Sequence, residues 1–449
     1  MRRHTLNLLS YLFIVVLAAC SFTDNTSLEK SEKVANWLSQ QKLATNNHTI
    51  WVDELGEEKV SLSLSSGVSG KVLFYLDLYL STGEQQYLDE AIIGCEYLVD
   101  ELPQNVEDAK SIRNGTSLYG DISGSAFILM ETYKLTQEEK WKTSVLHCLS
   151  LLDSMSIQPD GRYWNNFNDV LVGSAGTGLL LLYLYDELDD PKALQIAKEA
   201  AESLEQRAVR NQDSIYWHLN QNNSFNLPNF SHGASGIGYF YARLYETTND
   251  EHYLNISRQV AKYLDLIAWK PENSFLLPYG FPDIGWERAY DIGWAHGPAG
   301  TARFFYKLWQ VTNEGEWLEI VKQCANGIQY SGMPEQPNDR FGEAPFPIDM
   351  RFGTGGVIDF YINLHTAGLI ENEAYINALF MELENQAVQD STTLYWPIER
   401  YGFMGGEDGS MATFTGYFYG AAGLGRLYTK RHNLINEREK GIKLPDDPF

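Results

Sequence analysis

HGASGIGYFYARLY, residues 232–245, is a glycine pair that opens an almost unbroken apolar run, and the pattern recurs along the chain. Its other copies read SGVSGKVLFYLDLY (66–79), YGDISGSAFILMETY (119–133), VGSAGTGLLLLYLY (172–185), HGPAGTARFFYKLW (296–309), FGTGGVIDFYINLH (352–365) and YGAAGLGRLYTK (419–430). The second glycines stand at Gly70, Gly124, Gly176, Gly236, Gly300, Gly356 and Gly423. Nine residues later comes Tyr79, Tyr133, Tyr185, Tyr245, Trp309 or His365. Seventeen residues later comes Tyr87, Trp141, Ala193, Tyr253 or Trp317, with Tyr375 two places further on in the sixth copy. Only the second copy departs at the first glycine, where Asp121 stands. A unit recurring at such periods marks a repeat architecture.

Each copy reads as an αα-hairpin. The glycines start a helix that is apolar nearly all round, so it must be covered on several sides. They are expected to let backbones approach closely and to supply positive φ. A short polar turn follows, such as STGEQQ, LTQEEK, DDPK, TTNDEH or TNEGE, with Thr, Asp and Pro at cap positions. An amphipathic helix comes next, for example YLDEAIIGCEYLVDEL (87–102). Cys95, Cys148 and Cys324 fall at nearly one position of this second helix and read as small core residues. Residues 31–41 carry Val34, Trp37 and Leu38 at helical spacing and supply an outer helix for the seventh copy. An open array would leave two apolar ends, whereas a ring leaves none. The expected fold is therefore all-α: an α/α toroid of seven hairpins over residues 31–432, with a tail at 433–449.

The start of the chain reads as an address. Arg2, Arg3 and His4 precede an apolar run that ends Leu17-Ala18-Ala19-Cys20, the pattern of a secretory signal over 1–19. The cysteine behind Leu-Ala-Ala resembles a bacterial lipobox, which implies lipidation at Cys20, a linker over 20–30, and an exported protein held to a membrane by its anchor. No other apolar run approaches the roughly 20 residues needed to cross a bilayer. The formal charge of −25 offers phosphates no basic field, which argues against a nucleic-acid partner. An odd set of three cysteines beyond Cys20 gives no disulfide framework.

If the inner helices run parallel, their seven glycine-marked starts share one end of the ring, an end that favours anionic groups. The lining is then drawn from Asp121, Asp169, His232, His296, Arg351, Phe352 and Tyr419. The longer loops 207–231, 268–295, 331–350 and 387–418 add Asp283, Trp286, Glu287, Arg288, Asp291, Trp294, Asp349, Glu399, Arg400, Glu407 and Asp408.

The Gly-x-x-Gly hairpins, with HGxxG in the fourth copy and a tryptophan before the fifth, resemble the lanthionine synthetase C-like family over essentially the whole mature chain. That resemblance implies an α-toroid with a central zinc, and for the family's cyclases, addition of a cysteine thiol to a dehydrated Ser or Thr of a peptide. Asp169 and His232 match the family's acid–base residues. The three zinc ligands have no counterpart, because Ala295, Arg351 and Phe352 stand at their places. No zinc or other cofactor is therefore expected, the alternative being a replacement zinc site built from His232, His296 and a nearby carboxylate. The expected function is peptide binding or modification on the exported side, without zinc-dependent cyclisation. One alternative is an exported carbohydrate-active enzyme using a carboxylate pair such as Asp169 with Asp291 or Glu287. The other is a non-catalytic binding lipoprotein.

Overall fold

A helix apolar on most of its surface needs neighbours on several sides, and a closed double ring provides them. The computed structural model describes residues 25–449 except 46, 113–114, 159–160, 223–224, 282–289, 336–345, 405–408 and 439–440. Its helices are α1 (Asn25–Ser39), α2 (Val68–Thr82), α3 (Gln85–Glu101), α4 (Val106–Lys110), α5 (Asp121–Thr136), α6 (Glu139–Met155), α7 (Ser174–Leu188) and α8 (Pro191–Gln206). They continue with α9 (Ala234–Thr248), α10 (Glu251–Ile267), α11 (Pro298–Thr312), α12 (Gly315–Tyr330), α13 (Thr354–Thr366), α14 (Glu373–Asn385) and α15 (Ala421–Ile435). The inner ring is α2, α5, α7, α9, α11, α13 and α15, each touching the next, and α15 returns to α2. The outer partners are α3, α6, α8, α10, α12, α14 and, for α15, the N-terminal α1. Ser31 secures that last pair by donating to the Gly425 carbonyl at 3.2 Å. Short two-stranded hairpins decorate the loops.

The hairpin turns follow from local chemistry. The residues ending α2, α5, α7, α9 and α11 (Gly83, Gln137, Asp189, Asn249 and Asn313) are left-handed, and each N–H donates to the carbonyl of the repeat's aromatic residue, Tyr79, Tyr133, Tyr185, Tyr245 or Trp309. Asp190 and Asp250 then cap α8 and α10.

The ring is laced shut at the glycine end. Five residues before the second glycine, a backbone N–H of one repeat donates to the equivalent carbonyl of the next: Ser65 to Tyr119, Leu171 to Ser231, Ser231 to Ala295, and Ala295 to Arg351. Met350 donates to Phe418, and Phe418 to Ser65, which closes the circle. Between the second and third repeats the Ser117 hydroxyl substitutes, donating to the Leu171 carbonyl at 2.6 Å. All seven inner-helix starts are thereby held at one rim.

The glycines serve this lacing through size and not through handedness, a correction to the expectation above. The residues capping the inner helices, Gly67, Gly120, Gly173, Gly233, Gly297, Gly353 and Gly420, have φ between −81° and −149°, which any residue adopts. What most of these caps and the second glycines lack is room. A Cβ on Gly300 would lie 1.9 Å from the Trp294 carbonyl oxygen, and one on Gly423 would lie 1.8 Å from that of Tyr417.

A second correction concerns the inner helices, which are not apolar all round. Seven residues after each second glycine stand Asp77, Glu131, Tyr183, Arg243, Lys307, Asn363 and Lys430. They belong to a polar network in the lower ring that includes Arg303–Asp359 at 3.0 Å, Lys307–Glu246 at 2.9 Å and Arg426 against Asp77. Buried charges are tolerated only when paired, and the C-terminal segment completes the pairing. Residues 441–449 enter from the end opposite the rim and turn at Pro445–Asp446, where the Asp447 N–H donates to Leu444 at 2.9 Å. The Ile442 N–H donates to Asp77 at 2.6 Å, Arg303 donates to the Asp446 carbonyl at 3.2 Å, and Phe449 stacks on Tyr306 at 4.3 Å.

The close approaches make a direct prediction. Gly300→Ala should lower stability by about 3 kcal/mol or more, the upper range of overpacking. Gly315→Ala, whose added carbon meets nothing within 4 Å, should be neutral or stabilising by up to about 1 kcal/mol. Urea unfolding midpoints of the two variants decide the matter, and similar midpoints would refute the steric account.

Candidate functional site

The residue following each belt position faces the rim: Ser66, Gly120, Val172, His232, His296, Phe352 and Tyr419. Polar and aromatic chemistry thus clusters on the fourth to seventh repeats, where the loops are long. Below it lies an aromatic floor. Tyr119, Trp294, Phe418 and Phe230 meet with ring centroids 4.5 to 5.9 Å apart. The floor is braced from beneath, since the Tyr119 hydroxyl donates to the Asp446 carboxylate at 2.9 Å.

Turn-forming aspartates set the rim. The Asp169 carboxylate accepts the Val172 N–H at 2.8 Å with one oxygen, and its other oxygen faces His232 Nδ1 at 3.1 Å. Asp349, at the matching place in the sixth repeat, accepts the N–H groups of Arg351 and Phe352 at 2.8 and 2.7 Å. Its second oxygen takes the Tyr401 hydroxyl at 2.6 Å. Asp291 accepts from Ile292 and Gly293 at 2.7 and 3.3 Å, yet burial pushes its pKa up to about 6.

The centre of the group is a chain of side chains: Asp169, His232, Arg351 and Tyr419. Arg351 Nη2 lies 2.9 Å from His232 Nε2, and Nη1 donates to the Tyr419 hydroxyl. A guanidinium only donates, so His232 Nε2 accepts and its proton sits on Nδ1, facing Asp169. This tautomer is assigned from the partners. His296 stacks on His232 at 5.6 Å and on Phe352 at 5.8 Å, and meets Tyr279 in a tilted contact at 4.5 Å. Burial first, then His232 and the Arg351 charge, hold its pKa well below the ordinary value, so it is neutral. Burial raises the Tyr419 phenol to about 12 against the opposing pull of Arg351.

Beside this chain opens a cavity of about 620 Å³. Arg351 and Tyr419 line it on one side, with Phe403, Phe414 and Phe418. Ser61, Ser63, Ser65, Ser66 and Ser117 form a hydroxyl-rich wall. Asp121 also lines it, its carboxylate accepting the Leu62 N–H at 3.0 Å.

Of the residues singled out in the sequence, Asp169, His232, His296, Arg351, Phe352 and Tyr419 come together here. Trp294 is packed into the floor, and Arg400 pairs with Glu54 across the rim. Trp286, Glu287, Arg288 and Asp283, with Glu407 and Asp408, lie outside the described residues, as does Cys20. Sequence reasoning missed Tyr401, Phe403 and the serine wall. The serines were legible as the SLSLSS run at 61–66 directly before the first glycine pair.

A zinc ion does not fit this site. Ala295, Arg351 and Phe352 offer it no lone pair, and Arg351 sets a cation there instead. Among the described residues no three His, Cys, Asp or Glu side chains form a metal-binding group. Cys95, Cys148 and Cys324 are buried on outer helices, as expected of core residues, and burial raises their thiol pKa values, Cys95 and Cys148 to about 12.

Seven hairpins in a closed double ring, with a polar rim at the inner-helix starts, define an α/α toroid. The family model for lanthionine synthetase C-like protein matches residues 58–442, and the chain belongs to that family. Nisin cyclase is similar to it at 16% identity, covering 92% of this chain and 98% of that one, with a TM-score of 0.61. A polysaccharide lyase is similar at 13% identity, covering 92% and 99%, with a TM-score of 0.48. A D-mannose isomerase is similar at 13% identity, covering 81% and 99%, with a TM-score of 0.46.

The tautomer is open to measurement. Long-range ¹H–¹⁵N NMR of the folded protein at neutral pH should show His232 protonated on Nδ1 and bare on Nε2. Asp169→Asn, which keeps an acceptor for Val172 and presents an NH₂ to His232, should move the proton to Nε2. A parent spectrum with the proton already on Nε2 would rule out the assigned chain.

Proposed function

We propose that this chain is a peptide-binding or peptide-modifying member of its family that works without zinc. The observation that supports this most is the Asp169–His232–Arg351 chain, whose Arg351 lines the cavity and stands at the place of one of the family's zinc ligands. Asp169 fixes the imidazole, the imidazole can take or give a proton at the rim, and Arg351 supplies the positive charge. Thiolate activation by a metal has no support, so thioether cyclisation in the zinc-dependent manner is not part of the reading. The cavity's aromatic wall would also accept the face of a sugar ring, which keeps a carbohydrate ligand as the second reading. For that reading, Asp169 is poorly suited as a proton donor, because both its oxygens are engaged as acceptors.

Elemental analysis of the purified protein should find well under one zinc per chain, with melting unchanged by added zinc. Short peptides should raise the melting temperature and oligosaccharides should not. Stoichiometric zinc whose removal abolishes peptide binding would overturn this reading, and a response to glycans alone would favour the second one.

We also propose that the protein is exported and anchored through lipid on Cys20. No described helix is long and apolar enough to cross a membrane. Metabolic labelling with radioactive palmitate should mark the parent and spare Cys20→Ser; equal labelling of both would refute the anchor.

A further inference from the structure

Arg351 is partly buried at the cavity edge, yet its contacts are neutral. One guanidinium nitrogen donates to Tyr419, another to His232 at 2.9 Å, and the buried Nε has no hydrogen-bond partner. Among the described residues no carboxylate lies within 4.0 Å of its guanidinium, and the buried Asp291 and Asp349 carboxylates feel its charge only from further off. Neighbouring buried arginines are treated differently. Arg303 meets Asp359 at 3.0 Å, Arg426 meets Asp77, and Arg400 meets Glu54. Placing a cation away from water without a counter-ion is costly, and in a chain of net charge −25 acidic partners are plentiful. Rings surround the charge instead: Phe352 at 4.7 Å, Phe403 at 5.3 Å and Tyr419 at 6.0 Å. They fix the plane of the fork without neutralising it.

We propose that Arg351 is the anchor for a carboxylate of the ligand, which completes the ion pair that the protein leaves open. The inference rests on the peptide reading above, and the carboxylate it names is the free α-carboxylate of a peptide. A planar, singly charged carboxylate suits one guanidinium fork. A phosphate of nearly two charges suits it less, because Asp53, Glu54, Glu57 and Asp121 outnumber Lys59 and Arg400 among the other charged residues that line the cavity. The serine wall supplies hydroxyl groups for the peptide units behind the anchored end. The ligand would then enter end first, with its carboxylate beside His232.

The test uses the whole protein and a pool of random tripeptides, made once with free carboxyl ends and once as C-terminal amides. Retention is read by mass spectrometry, and thermal shifts with acetate and with glucuronate run alongside. The free acids should be retained about ten- to hundredfold better than the amides, the range for one charge-assisted hydrogen-bonded contact. Arg351→Gln should abolish that preference, and Arg351→Lys should keep part of it. Equal retention of acids and amides overturns the proposal, as does a preference that survives Arg351→Gln. If no tripeptide is retained but acetate or glucuronate still raises the melting temperature through Arg351, the peptide reading falls and the carboxylate anchor stands. If no carboxylate acts through Arg351, the anchor falls, whatever else binds.

Discussion

The belt of main-chain hydrogen bonds around the rim is the constraint on which the rest of this fold depends. Helix packing alone would allow seven hairpins to slide or splay. The belt fixes their register because its links join the same position of successive repeats, apart from Met350 in the sixth and the Ser117 hydroxyl between the second and third. It also explains the glycines. For a loop strand to reach its neighbour, it must lie flat on the start of its own helix, with the carbonyl six residues back pressed against the second glycine. Each unsatisfied link would leave a buried N–H or carbonyl without a partner. The third repeat shows the cost being avoided by other means, with a serine hydroxyl bridging where the backbone does not.

Function enters where the repeats stop being equivalent. The belt places one residue per repeat at the rim, and the chain fills those places unevenly, from Gly120 through His232 and His296 to Phe352 and Tyr419. In the sixth repeat the belt donor is Met350, and the Arg351 N–H turns to Asp349 instead. The same residue sends its side chain to the cavity and its charge to His232.

The period of the glycines and the aromatic residue nine places on made the hairpins, their count and the role of residues 31–41 legible, because sterics and capping tie those types to those places. Rim residues were legible for the same reason: a site just before a helix start is defined by sequence position. The charged ring from Asp77 to Lys430 was harder to see, since one polar residue in an apolar helix looks like a minor interruption until seven copies are superposed. Arg351 read as a lost ligand, and its open ion pair is visible only from what surrounds it. The segment LPDDPF at 444–449 has no periodicity at all, and only polar contacts from helices of the inner ring, such as Arg303 and Asn363, give it a place.

That returning segment determines how traffic at the centre must run. Asp446 meets Tyr119 from below, so the axis of the ring is occupied up to the floor. Among the described residues that end is filled, which leaves the rim as the doorway. Whatever is admitted departs by the route it came, and a guest longer than the cup must leave its remainder outside.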